Sequence, residues 1–85
     1  MHNTDRKYIH VTDAFGEMLA YIDDYQPNAE DTVFGTVIAE RVKPEDEWQI
    51  ENRNTMIAIV LNSKKKWKFY EDYEEFGAEF LDAIL

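Results

Sequence analysis

Apolar residues recur with two different periods along this chain, and the change of period decides what it can fold into. From Val11 onward the apolar positions are Val11, Ala14, Phe15, Met18, Leu19, Ile22 and Tyr25. Steps of three and four describe one face of a helix, so a first helix is expected at 12–25. Thr12 or Asp13 would cap it, and Pro27 disfavours helical geometry at Gln26. Tyr8–Val11 reads as a short strand before this helix or as an extra turn of it. At the other end Tyr73, Phe76, Phe80 and Ile84 recur at the same steps, with Leu81 beside them. That spacing predicts an amphipathic terminal helix starting near Glu71.

Between the two the pattern is that of strands. Thr32–Val42 is β-branched and apolar on both faces, with Gly35 marking a bulge or a close backbone approach. Trp48–Glu51 alternates and reads as a short strand with Trp48 and Ile50 on one face. Thr55–Leu61 is the most hydrophobic segment and is expected to be a central strand. Lys66–Tyr70 alternates too, with Trp67 and Phe69 opposite Lys66 and Lys68, and supplies a plausible fourth strand. Turns are expected at Lys43–Glu47, Asn52–Asn54 and Asn62–Lys65, and a loop at Gln26–Asp31. The expected fold is α+β: a small single domain over residues 1–85, frayed at 1–7, in the order α-β-β-β(-β)-α. Its three- to four-stranded antiparallel sheet would be flanked by an N-terminal and a C-terminal helix. Phe15, Met18, Leu19 and Ile22 would pack on Phe76, Phe80 and Ile84.

Composition narrows the chemistry. The 85 residues hold 18 Asp and Glu against 9 Lys and Arg, a net charge of −9, with no cysteine. Without cysteine there is no disulfide framework, thiolate nucleophile or Cys-ligated metal. At 45% hydrophobic and 14% aromatic the chain is too apolar for a disordered acidic tail. The start shows no secretory signal pattern. The longest apolar run, Met56–Leu61, is far below the roughly 18–20 residues needed to span a bilayer. A cytoplasmic protein is expected, with no membrane contact. The negative field opposes direct nucleic-acid binding.

No catalytic signature emerges, and the chain is not expected to be an enzyme. The two histidines are His2 and His10; His10 and Asp13 form an HxxD spacing that no second histidine completes. Ser63 is the only serine and lies in a predicted turn. Three scattered glycines make no phosphate loop. No metal or cofactor is expected. The basic run Lys64-Lys65-Lys66-Trp67-Lys68 could grip phosphate, but reads better as a charged hairpin turn whose lysines keep an edge strand from aggregating.

Acidic residues are segregated. Residues 13–40 contain seven, Asp13, Glu17, Asp23, Asp24, Glu30, Asp31 and Glu40, with no Lys or Arg. Residues 69–85 contain six, Glu71, Asp72, Glu74, Glu75, Glu79 and Asp82, again without a base. Like charges at i,i+4 repel, and acids near a helix C-terminus oppose its dipole. Accepting that cost points to a use for the negative face. The expected contact stripes are Glu71, Glu74, Glu75, Glu79 and Asp82 on the last helix, and Asp13, Glu17, Asp23 and Asp24 on the first. Tyr70 and Tyr73 would serve as aromatic anchors.

In size, acidity, aromatic content and lack of catalytic residues the chain resembles small phage or mobile-element inhibitors as a class, anti-CRISPR proteins and other nucleic-acid mimics among them. That resemblance is compositional. It implies an inhibitor of a basic, nucleic-acid-handling protein, acting as monomer or homodimer. An immunity protein or antitoxin for a basic nuclease toxin is one alternative. A homodimeric structural or adaptor module is another.

Overall fold

The structure is a computed structural model that describes residues 7–27, 31–51 and 55–84. Of the frayed start expected for 1–7 and the loop expected at Gln26–Asp31, residues 1–6 and 28–30 lie outside that set, as does the turn at Asn52–Asn54, whereas Gln26, Pro27 and Asp31 belong to strands. The side chains of Leu81, Asp82 and Ile84 also lie outside it. Among the described residues six strands precede one helix: β1 Tyr8–Asp13, β2 Gly16–Pro27, β3 Asp31–Arg41, β4 Gln49–Ile50, β5 Met56–Val60, β6 Lys66–Tyr70 and α1 Tyr73–Ile84. All pairings are antiparallel, in the order β4-β3-β2-β1-β6. β5 also pairs with β3, along Thr32–Thr36, whereas β4 takes Ala39 and Glu40.

The first correction concerns the N-terminal helix. Residues 12–25 form most of a β-hairpin, β1–β2, and the sheet carries one helix instead of two. The turn chemistry of Asp13 and Gly16 fixes this. Asp13 Oδ1 accepts the backbone N–H of Phe15 at 2.7 Å and of Gly16 at 3.2 Å, closing the turn over Ala14 and Phe15. Ala14 and Phe15 both keep negative φ, so the turn lacks the primed geometry that suits strand twist. Gly16, at φ 145°, absorbs the mismatch, and a Cβ there would stand 2.5 Å from the Arg41 carbonyl oxygen. The helical spacing arises because β2 is covered on both sides. Met18 to Ile22 is therefore apolar at every position, and such a run does not distinguish strand from helix.

The two faces of the sheet bury separate clusters. On the α1 side Tyr8, Leu19, Ala39, Tyr70, Phe76 and Phe80 pack together, with Tyr21, Ile38 and Trp48 against them. On the other side Ile9, Val11, Ala20, Val33, Ile59 and Leu61 form a core joined by Met18, Ile22, Ile57 and Phe69. The expected packing of the first segment on the last helix holds for Leu19 alone. Met18 and Ile22 face the opposite cluster, and Phe15 stands 87% exposed at the hairpin tip. The Met56–Leu61 segment is likewise an edge, not a centre: β5 pairs only with β3, and Met56 is 56% exposed. Its hydrophobicity serves one face, through Ile57, Ile59 and Leu61. Trp48 packs on the α1 side while Ile50 is 47% exposed, so they share no buried face.

One bulge brings Arg41 onto the same face as Glu17. Ala20 pairs with Val37 and Leu19 with Ala39, so the register passes over Ile38. Val37 and Ala39 therefore face opposite sides although they are two apart. Without that extra residue Arg41 would face the Ile9 cluster. With it, Arg41 turns to the α1 side, directly across from Glu17. A second shift occurs at Asp23, beside Gly35, where an added Cβ would come within 2.5 Å of the Tyr21 carbonyl oxygen.

Candidate functional site

Glu17, Arg41 and His10 meet at the end of the α1 face. The Arg41 fork donates from Nε to Glu17 Oε2 at 3.0 Å and from Nη2 to Oε1 at 3.2 Å. His10 Nε2 lies 2.8 Å from the same Oε1. The Glu17 side chain is 8% exposed and that of Arg41 19%. Trp48 lies under the guanidinium at 4.2 Å, and the His10 ring stands edge-on to Trp48 and Phe80. Burial pushes the Glu17 carboxyl up, but the hydrogen bonds and charges of Arg41 and His10 outweigh it, and the net shift is downward. Glu17 is thus a fixed anion joining three strands, with its oxygens engaged internally. Its side chain is buried in that pair at the end of the sheet, beside a groove at the hairpin end, and does not stand on an exposed helical stripe.

The acidic helix is also partly neutralised. Asp72 caps it: its Oδ1 accepts the N–H of Glu75 at 2.9 Å. Glu71 pairs with Lys7 at 2.6 Å across an exposed contact. Glu79 accepts the Tyr70 hydroxyl at 2.6 Å and lies 3.7 Å from Lys68. That hydroxyl bond, ahead of the Lys68 charge, lowers the Glu79 carboxyl, while burial and the Glu79 bond raise the Tyr70 phenol. Tyr70 is 1% exposed and belongs to the core, so it is no surface anchor; Tyr73 is 42% exposed. Glu74 and Glu75 remain exposed, around a shallow depression of ≈380 Å³ that Asp72 and Ala78 also line. Asp82 lies on α1, with its side chain outside the described residues.

The N-terminal acids do not form one stripe. Asp13 and Glu17 stand at the hairpin end of β2. Asp23 and Asp24 stand at its far end, where Asp23 accepts the Thr36 hydroxyl at 3.1 Å and Asp24 the Gln26 amide at 2.6 Å. At the hairpin end, however, a groove of ≈390 Å³ opens beside the Glu17–Arg41 pair. Asp13, Glu40, Asp46, Glu47 and Glu51 line it, with Phe15 and Val42. Asp46 holds its loop by accepting the Lys43 N–H at 3.0 Å. Glu40 and Glu47 have no ion pair or hydrogen bond from their carboxylates among the described residues. The helical reading of 12–25 hid this groove. A turn read at Asp13–Gly16 would have placed Phe15 outside the core.

The basic run lies on the edge strand β6 and the turn before it. Lys65 Nζ donates to the Val60 carbonyl at 2.9 Å, Lys68 sits 5.0 Å above the Tyr70 ring, and Lys64 and Lys66 are exposed. Among the described residues no group of three His, Cys, Asp or Glu is placed to hold a metal ion. Nor, among those residues, is any helix long and apolar enough to cross a membrane. No protein-family model, curated protein or solved structure matches this chain.

Proposed function

We propose that this protein is a small acidic binding protein that inhibits a basic, nucleic-acid-handling protein by occupying its positively charged surface. One observation carries the reading: four of the seven cations among the described residues are engaged by groups of the same chain, Lys43, Lys64 and Lys66 being the exceptions, while carboxylates of the helix and the hairpin end are left uncompensated. Arg41 is held by Glu17, Lys7 by Glu71, Lys68 by Glu79 and Lys65 by a backbone carbonyl. The carboxylates of Glu40, Glu47, Glu74 and Glu75 have no ion-pair or hydrogen-bond partner among the described residues. A surface of that kind steers association with an oppositely charged protein and rejects nucleic acid. The test is capture of a partner from lysate at low salt, followed by competition. Release by the partner's nucleic acid and by raised salt is the expected result. A complex indifferent to both would sink the proposal.

A further inference from the structure

Phe15 is out of place for a residue that serves only the fold. A phenylalanine 87% exposed at a two-residue turn gives the hairpin nothing that a small polar residue would not. Its neighbour across the groove, Val42, is 68% exposed. Gly16 abuts Val42, since a Cβ built on Gly16 would lie 3.0 Å from Val42 Cα. The hairpin tip and the end of β3 thus present two apolar side chains at one rim. The turn beneath Phe15 is fixed by Asp13 and Gly16, so the ring is offered from a rigid support at small entropic cost. Below the rim, Val11 and Met18 continue the apolar lining towards the core. Charge complementarity then selects the occupant. The lining carries Asp13, Glu40, Asp46 and Glu47, and the charge of its cation, Arg41, is taken by Glu17. An acidic or phosphorylated segment would be repelled.

We infer that this groove holds the basic partner: a segment of a protein with an arginine or lysine that enters among the carboxylates, beside an apolar pocket that receives Phe15. The inference rests on the reading of the chain as a binder of a basic protein, and it moves the contact from the helix stripe to the hairpin end. The apolar pair supplies the short-range hold and the carboxylates the attraction, as in interfaces where an aromatic anchor sits within a polar rim.

The experiment titrates the full chain, 15N-labelled, with a decapeptide of alternating arginine and leucine, and with its glutamate–leucine counterpart. The expected result is saturable amide shifts at residues 13–18 and 40–47 with the arginine peptide alone. Phe15→Ala should weaken that binding about tenfold or more, with urea unfolding unchanged because the ring is exposed. Glu40→Gln with Glu47→Gln should weaken it severalfold and flatten its salt dependence. Shifts collected at residues 72–79, or a Phe15→Ala protein that binds as tightly as the parent, would overturn the groove and leave the binder reading standing. No saturable binding of the arginine peptide anywhere, even at low salt, would overturn both.

Discussion

Removing the Glu17 carboxylate tests whether the polar clamp at the end of the α1 face stabilises the domain or merely fills it. Glu17 takes two hydrogen bonds from Arg41 and lies 2.8 Å from His10, with its side chain 8% exposed. In Glu17→Ala the guanidinium stays over Trp48 without its counter-ion. Breaking a buried pair from one side costs about 3–5 kcal/mol. Arg41 keeps some contact with water, so about 3 kcal/mol is the working figure. A domain of this size is stable by roughly 4–13 kcal/mol, so the loss is large. With an m-value near ~1 kcal/mol/M in urea, the midpoint should fall by about 3 M. Glu17→Gln keeps one acceptor oxygen and should lose about 1–2 kcal/mol. The pH dependence has a definite sign. The folded carboxyl is shifted below its ordinary value, so its contribution is present above the unfolded pKa, about 4.3, and is lost as pH falls through the lower folded value. Urea titrations at neutral and acid pH, with Arg41→Ala completing a double-mutant cycle, give the coupling directly. A coupling below about 0.5 kcal/mol, the additivity seen for independent sites, would refute the clamp.

Three further changes probe the rest of the scaffold. Phe80→Ala removes a ring 7% exposed from the α1 cluster and should cost about 3–5 kcal/mol, read as a large fall in melting temperature. Gly16→Ala meets the Arg41 carbonyl at 2.5 Å on a positive-φ backbone, and should cost roughly 1–3 kcal/mol; an unchanged urea midpoint would contradict the turn described. Asp72→Ala removes the helix cap and should cost about 1 kcal/mol, with earlier hydrogen exchange at the first turn of α1.

The strands from β3 onward were legible because each offers a local signal. Thr32–Val42 is β-branched, Lys66–Tyr70 alternates, and the observed strands are Asp31–Arg41 and Lys66–Tyr70. The terminal helix was legible because α1 is covered on one side only, so Phe76 and Phe80 keep their period. The first third of the chain was not, because a doubly covered hairpin and an amphipathic helix both accept apolar residues at 18, 19 and 22. Only the local chemistry of Asp13 and Gly16 separates them. The buried Glu17 had no signal of its own: it faces Arg41 through a bulge at Ile38, which no spacing along the sequence announces. Phe15 fits the helical period of 12–25 by its spacing, whereas the Asp13–Gly16 turn puts it at the surface beside the groove.

The lysine run acquires a structural explanation from the two sheet edges. Leu61 donates its N–H to the Asp31 carbonyl at 2.8 Å, which fixes the phase of the β3–β5 ladder. Alternation then points the backbone groups of Val60, Ala58 and Met56 away from β3, towards the open side. An uncharged edge of this kind, MIAIV, invites pairing with another chain. Lys65 answers it, because its ammonium bonds the outward Val60 carbonyl at 2.9 Å. At the opposite edge β6 carries Lys66 and Lys68 on one face, and their charges oppose a further strand. Lysines adjacent in sequence therefore guard both edges of one curled sheet, because the turn before β6 brings Lys65 back to β5. A basic cluster in a chain of net charge −9 follows from what an edge strand requires, and no phosphate ligand is needed to explain it.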